Sequence, residues 1–170
     1  RYLDSLEIEI NSNYKGEKLN TIYIGGGTPS SLKINELKRL LEINKIFKLE
    51  KDYEYTVEFN VEDIAIEKLN LLIEYGVNRL SIGVESFNKD NLKYLNRNKD
   101  VNIESNIMLA KKYFDNINID LIYGVNDNIN NIKSDIAKFL ELDIQHVSCY
   151  SLILEEHTKL FIDGNKYIDQ

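Results

Sequence analysis

Five short segments rich in β-branched and aromatic residues recur about thirty residues apart, each joined to the next through a helical pattern, and this alternation limits the fold more than any other feature. The segments are TIYIGGG (21–27), YTVEFN (55–60), RLSIGVESF (79–87), INIDLIYG (117–124) and HVSCYSLIL (146–154). Between them, apolar residues return every three or four positions, as an amphipathic helix requires. Leu3, Leu6 and Ile10 mark a first helix over 2–10, and Ile34, Leu37, Leu40, Leu41 and Ile43 a second running to about Phe47. Ile66, Leu69, Leu72 and Ile73 mark a third over about 63–75, with Gly76 as its C-terminal stop, and further helices are expected at 89–95, 103–114 and 132–142. Strands separated by helices imply right-handed parallel crossovers, hence an α/β fold. A doubly wound open sheet and a (β/α) barrel both satisfy this pattern. With one proline and no low-complexity stretch, residues 1–170 read as one domain.

The polar residues favour the barrel. In parallel α/β folds, function gathers where strands end. Those ends carry Gly25, Gly26, Gly27 and Thr28, then Glu58 and Asn60, then Glu85 and Ser86, then Asp120, Tyr123 and Gly124, then Ser148, Tyr150 and Ser151. Glu58, Glu85 and Asp120 interrupt apolar segments, where a carboxylate is unfavourable unless paired or solvated by a ligand. Five strands aiming polar groups at one mouth describe a ligand site over a barrel. Each residue alone has a plainer reading. The glycines make a tight turn, Arg79 is a candidate partner for Glu58 or Glu85, Arg97 a solvated charge, and Cys149 a small core hydrophobe.

Composition removes several classes of function. The net charge of −7, with both signs interleaved, offers no basic face for nucleic acid. No apolar run approaches the roughly 18 residues of a membrane span, so a cytoplasmic location is expected. One cysteine, Cys149, and two histidines, His146 and His157, leave no set of metal ligands, so no metal site is expected from this chain.

Taken in order, TIYIGGGTPS (21–30), Glu58-Phe59-Asn60, GVNRLSIGVESF (76–87), Leu95-Asn96-Arg97, NIDLIYG (118–124) and HVSCYSLILEEHT (146–158) resemble consecutive signatures of the oxygen-independent coproporphyrinogen III oxidase family of radical S-adenosylmethionine proteins. The wording of the last segment, and Asn60 in the Glu-Phe-Asn triplet, look closer to its haem-chaperone branch than to the decarboxylating oxidases. The resemblance implies a partial (β/α) barrel of radical SAM type, with five βα units corresponding to barrel strands two to six and the first strand missing. It also implies S-adenosylmethionine held against a [4Fe–4S] cluster in the full-length protein, where the cofactor supplies the radical chemistry. Carried over by position, Gly26, Gly27 and Thr28 approach the methionine end through their backbone. Glu58 accepts hydrogen bonds, Arg97 holds the methionine carboxylate, Asp120 engages ribose hydroxyls, and Glu85 and Ser151 complete the wall.

The chain departs from that pattern in places. The family usually has Gln at Glu85, Pro at Val61 and Asn126, and His near Lys99. Its three-cysteine CxxxCxxC loop would precede residue 1, so the cluster ligands are absent from this chain. The expected partners are S-adenosylmethionine and, for the full-length protein, haem or a porphyrinogen. A second copy of the chain is also expected, on an edge opened at 21–27 by the absent strand. The expected function is haem delivery. The alternatives are oxidative decarboxylation of coproporphyrinogen III to protoporphyrinogen IX, or a phosphate-ligand barrel using the glycines as an anion nest.

Overall fold

The strands are sided, and the siding explains the layers. In β2 (Lys48–Asn60), Tyr55, Val57 and Phe59 are buried in the core while Thr56, Glu58 and Asn60 alternate onto the opposite face. β3 (Arg79–Glu85) repeats this with Leu80, Ile82 and Val84 against Ser81, Gly83 and Glu85. β4 (Ile117–Tyr123) does so with Ile117, Ile119 and Leu121 against Asn118 and Asp120. The apolar faces meet Leu37 and Leu41 of α2 (Ile34–Asn44), Leu69 and Leu72 of α3 (Ile66–Glu74), and Ile107 and Ala110 of α5 (Ile103–Ala110) in one core cluster. Each of these leucine and isoleucine side chains is almost fully removed from water and contributes on the order of 2 kcal/mol.

This computed structural model describes residues 1–97, 100–125 and 129–154. The expectations that fall on Lys99, Asn126, His157 and the motif end at 155–158 lie outside them. β1 (Lys18–Ile24), β2, β3, β4 and β5 (His146–Ser151) pair in that order, every pair parallel. A doubly wound sheet reverses its strand order at a switch point. Here the order never reverses, and the sheet curls into a half-barrel with helices on its convex side.

Several boundaries differ from the sequence reading, and two of them bear on the site. β1 ends at Ile24, so the glycines form the loop after it. β2 begins at Lys48, seven residues before the expected Tyr55, because Lys48 and Leu49 pair with Lys18 and Leu19 across an irregularity in the register. That extension is highly charged and carries no apolar signature.

β1 lies at one edge of the sheet, as expected from the absent strand. Ile22, however, points into the core at 9% exposure, so a charge placed there would disrupt packing and could not report on the edge. Beside this edge an apolar groove of about 980 Å³ runs between α1 (Tyr2–Asn13), β1 and α2, reaching the glycine loop. α1 buries none of its residues and is tied down by the Arg39–Asp4 ion pair. Cys149 is exposed, not part of the core, because β5 is the other edge.

One clamp on the convex side fixes the polar face. The β3–β4 register slips between Gly83 and Glu85, and Glu85 adopts a left-handed φ of 65°, an unfavourable conformation for a residue with a side chain. The next two residues are held from α6 (Ile129–Glu141), where buried Asp135 accepts the Ser86 hydroxyl at 2.7 Å and the Phe87 N–H at 2.8 Å. Ser86 Oγ also accepts the Asn88 N–H at 3.0 Å. An amide chain from Asn88 to Asn131 to Asn91 closes the network before α4 (Lys89–Tyr94). Burial raises the Asp135 carboxyl above its ordinary value, and the bonds from Ser86 and Phe87 only partly oppose this. An acid with a raised folded pKa contributes stability at low pH that is lost as pH rises through that pKa. The stability of the wild type relative to Asp135→Asn is therefore expected to fall as pH rises through the acidic range above the ordinary aspartate value. Urea unfolding at several pH values measures this, and a relative stability that rises over that range contradicts it.

Candidate functional site

The concave face is polar from one edge to the other, and its side chains order one another. At β1, the Tyr23 hydroxyl donates to Glu58 Oε1 at 2.8 Å and the Gly26 N–H donates to Oε2 at 2.9 Å. Burial, then the Glu58 carboxylate, pushes the Tyr23 phenol up to about 12, so it stays a donor at neutral pH. Glu58 can lie over the end of β1 because Gly25 has no side chain. A Cβ there would stand 2.6 Å from Glu58 Cδ. Gly26 and Gly27 take left-handed φ values of 73° and 62°, and no atom lies within 4 Å of where their Cβ atoms would be. This turn needs glycine for its backbone and presents that backbone to open space.

The loop is anchored behind. Thr28, at φ 52°, caps the short turn Pro29–Ser31, and its carbonyl accepts the Ser31 hydroxyl. The buried Ser30 hydroxyl donates to Asp63 at 2.7 Å and accepts the Asn60 N–H at 2.9 Å, while Lys68 donates to the Ser30 carbonyl.

Across the middle, Asn118 Nδ2 donates to Ser81 Oγ at 2.8 Å and to Asp120 Oδ1 at 2.9 Å. Its Oδ1 is thereby turned toward His146 Nδ1 at 2.5 Å and accepts the Ser148 hydroxyl at 3.1 Å. Since Oδ1 can only accept, His146 carries its proton on Nδ1. Further round, Arg97 Nη2 donates to Glu85 Oε1 at 2.6 Å, with Glu85 largely buried and Arg97 half exposed. Burial raises the Glu85 carboxyl, Arg97 lowers it, and nearby Asp120 raises it again, so the upward direction prevails. Arg79, considered as a partner for Glu58 or Glu85, instead reaches Glu54 and Thr56 lower on the same face.

The predicted site residues thus fall unevenly. Gly26, Gly27 and Glu58 form one hydrogen-bonded corner, and Thr28 starts the turn beside it. Glu85, Arg97 and Asp120 form a second charged group. Ser151 ends β5 opposite Tyr123, and strand alternation turns it away from Ser148 and Asp120. Sequence reasoning passed over Tyr23, Ser81 and Asn118, and named Gly25 and Ser148 only among the polar strand ends. The period-two alternation inside the strands, clearest in β2, β3 and β4, was the signal that marks them, rather than the strand ends alone.

One cation among Glu58, Glu85 and Asp120, beside an open glycine backbone, suits a ligand with a single carboxylate, added positive charge and hydroxyls. It does not suit a phosphate, which needs converging cations or N–H groups. A four-iron cluster does not fit. The chain has one cysteine, and no cluster of three metal-binding side chains exists among the described residues. No described helix is long and apolar enough to cross a membrane.

Comparison with known proteins agrees with this geometry. The Radical SAM superfamily profile matches residues 3–136. The heme chaperone HemW of Lactococcus lactis is 46% identical over 161 residues, covering 92% of this chain and 42% of that protein. HemW of Bacillus subtilis is 40% identical over 168 residues, covering 94% and 44%. The chain therefore spans less than half the length of these curated relatives. The solved coproporphyrinogen III oxidase HemN of Escherichia coli, a radical SAM enzyme, superposes with a TM-score of 0.79 at 31% identity, over 88% of this chain and 36% of that one. An archaeal Elp3 from Methanocaldococcus infernus shares the fold alone, with a TM-score of 0.68 at 18% identity. A half-barrel of five parallel strands, a glycine loop over a polar concave face and a profile match across most of the chain place this protein in the radical SAM superfamily.

Proposed function

We propose that the concave face binds S-adenosylmethionine, and that the protein acts in haem delivery as a haem chaperone of the HemW kind. The observation that carries the cofactor reading is one polar face that holds the Arg97–Glu85 pair near Asp120 in one group and the Glu58 carboxylate beside an open glycine backbone in another. Gly26, Gly27 and Thr28 offer backbone groups to the methionine end. Glu58, already fixed by Tyr23 and Gly26, keeps lone pairs free for ligand donors. Asp120, oriented by Asn118 and Ser81, serves the ribose hydroxyls, Arg97 takes the carboxylate, and Glu85 closes the rim, while Ser151, turned to the other face of β5, is left out of the site. In this reading β1–β5 stand for barrel strands two to six within one domain spanning 1–170, and the protein works in the cytoplasm.

S-adenosylmethionine held against an iron–sulfur cluster supplies radical chemistry, but this chain does not provide the cluster's ligands. Its own residues bind, orient and order. The haem reading is supported by 46% identity to a heme chaperone. Porphyrinogen decarboxylation is the second reading, supported by the 31% identity and close superposition to HemN.

The free edge of β1 and its apolar groove also support self-association of this chain, since nothing pairs that edge among the described residues. Sedimentation velocity is expected to show dimers that Thr21→Lys, on the exposed edge, shifts toward monomer. A clean monomer at high concentration rejects the idea.

For the cofactor, titration calorimetry of S-adenosylmethionine is expected to give measurable binding that Arg97→Ala weakens by about 2 kcal/mol, roughly thirtyfold, through loss of a charge-assisted contact. Unchanged affinity in that variant would remove Arg97 from the site.

A further inference from the structure

Arg97 is not free in this structure. Its Nη2 donates to Glu85 Oε1 at 2.6 Å, a short charge-assisted bond whose carboxylate partner is only 12% exposed. A guanidinium has five donors, so one carboxylate does not saturate it. A second carboxylate brought to the same guanidinium nevertheless meets the first as a like charge, in a region that Asp120 already makes negative.

The backbone of Glu85 cannot withdraw to make room. It is fixed in the left-handed region at the register slip of β3, and Ser86 and Phe87 are bolted to Asp135 of α6. Gly83 lies beneath the carboxylate, where an added Cβ would stand 3.3 Å from Oε1, so the side chain is folded back over the strand. The competitor for Arg97 is therefore built into the fold.

We propose that Glu85 is a specificity-determining residue of this site. It holds Arg97 in an internal ion pair that the ligand's carboxylate must share or open, and so weakens the protein's hold on that carboxylate. This rests on the S-adenosylmethionine reading and deepens it. It predicts an asymmetry. Removing the charge at 85 strengthens binding of a ligand that carries the carboxylate, and does not strengthen binding of the same ligand without it. Glutamine tests this cleanly, because it keeps the shape of the side chain and its acceptor oxygen while losing the negative charge.

The experiment is calorimetric titration of the wild-type chain, Glu85→Gln, Arg97→Ala and the double variant. The two probes are S-adenosylmethionine and decarboxylated S-adenosylmethionine, which differ only in the carboxylate. Thermal unfolding of each variant establishes that it is folded. Glu85→Gln is expected to raise S-adenosylmethionine affinity roughly fivefold, as for release from a partly exposed ion pair, and to leave the decarboxylated ligand unchanged or weaker. In the Arg97→Ala background the gain should vanish, because the charge it acts through is gone. A merely structural role for Glu85 would move both probes together. Binding of S-adenosylmethionine with no gain in Glu85→Gln, or an equal gain for both probes, overturns the proposal and leaves the cofactor reading standing. If neither probe binds the wild type or Glu85→Gln, the cofactor reading falls and the proposal falls with it.

Discussion

The structure depends on a sidedness imposed by the period of two in its strands. Tyr55, Val57 and Phe59 alternate with Thr56, Glu58 and Asn60, and the same pattern repeats in β3 and β4. A parallel sheet covered by helices on both faces would read as continuous apolar runs. Here only one face is apolar, so helices can cover only that face. The other face must remain open to solvent or to a ligand. Curling concentrates its polar groups on the concave side, where Tyr23, Glu58, Ser81, Asn118, Asp120 and Ser148 order one another.

From that constraint follows a division of labour between the two sides of the sheet. The convex core is dry and supplies stability. Convex polar contacts are few and specific, and they act on the concave face from behind. Asp135 sets the direction of Glu85 through Ser86 and Phe87, and Asp63 with Lys68 holds the glycine loop through Ser30. A left-handed Glu85 is strained, and it persists because its neighbours over-determine it. The Glu85–Arg97 pair is the outcome of that geometry.

Much of this was legible in the sequence, for identifiable reasons. Strands and helices were readable where apolar periodicity is strong, as in Leu80, Ile82 and Val84 or Leu69 and Leu72. The start of β2 was not, because Lys48 to Asp52 is charged and forms a strand only by pairing with β1. Glu58, Glu85 and Asp120 stood out as charges near strand ends, whereas Arg97, beyond a helix, stood out only through the family resemblance. Their partners did not, since the Arg97–Glu85 pair depends on a register slip and Arg79 was as plausible by position. Tyr23 was hidden inside an apolar strand segment, and Gly25 stood out only as one of the turn glycines. Their roles appear only when the Glu58 carboxylate is placed between them.

The concave face, and not the apolar groove beside α1, is proposed to receive the nucleoside. Amide chemical-shift mapping of the chain with S-adenosylhomocysteine, a stable thioether with the same amino-acid end, tests it directly. The largest shifts are expected at Gly26, Gly27, Glu85, Ser86, Arg97 and Asp120, with Leu3, Leu6 and Leu40 in the groove unmoved. Shifts centred on α1 and α2, with the glycine loop and Glu85 silent, would contradict it.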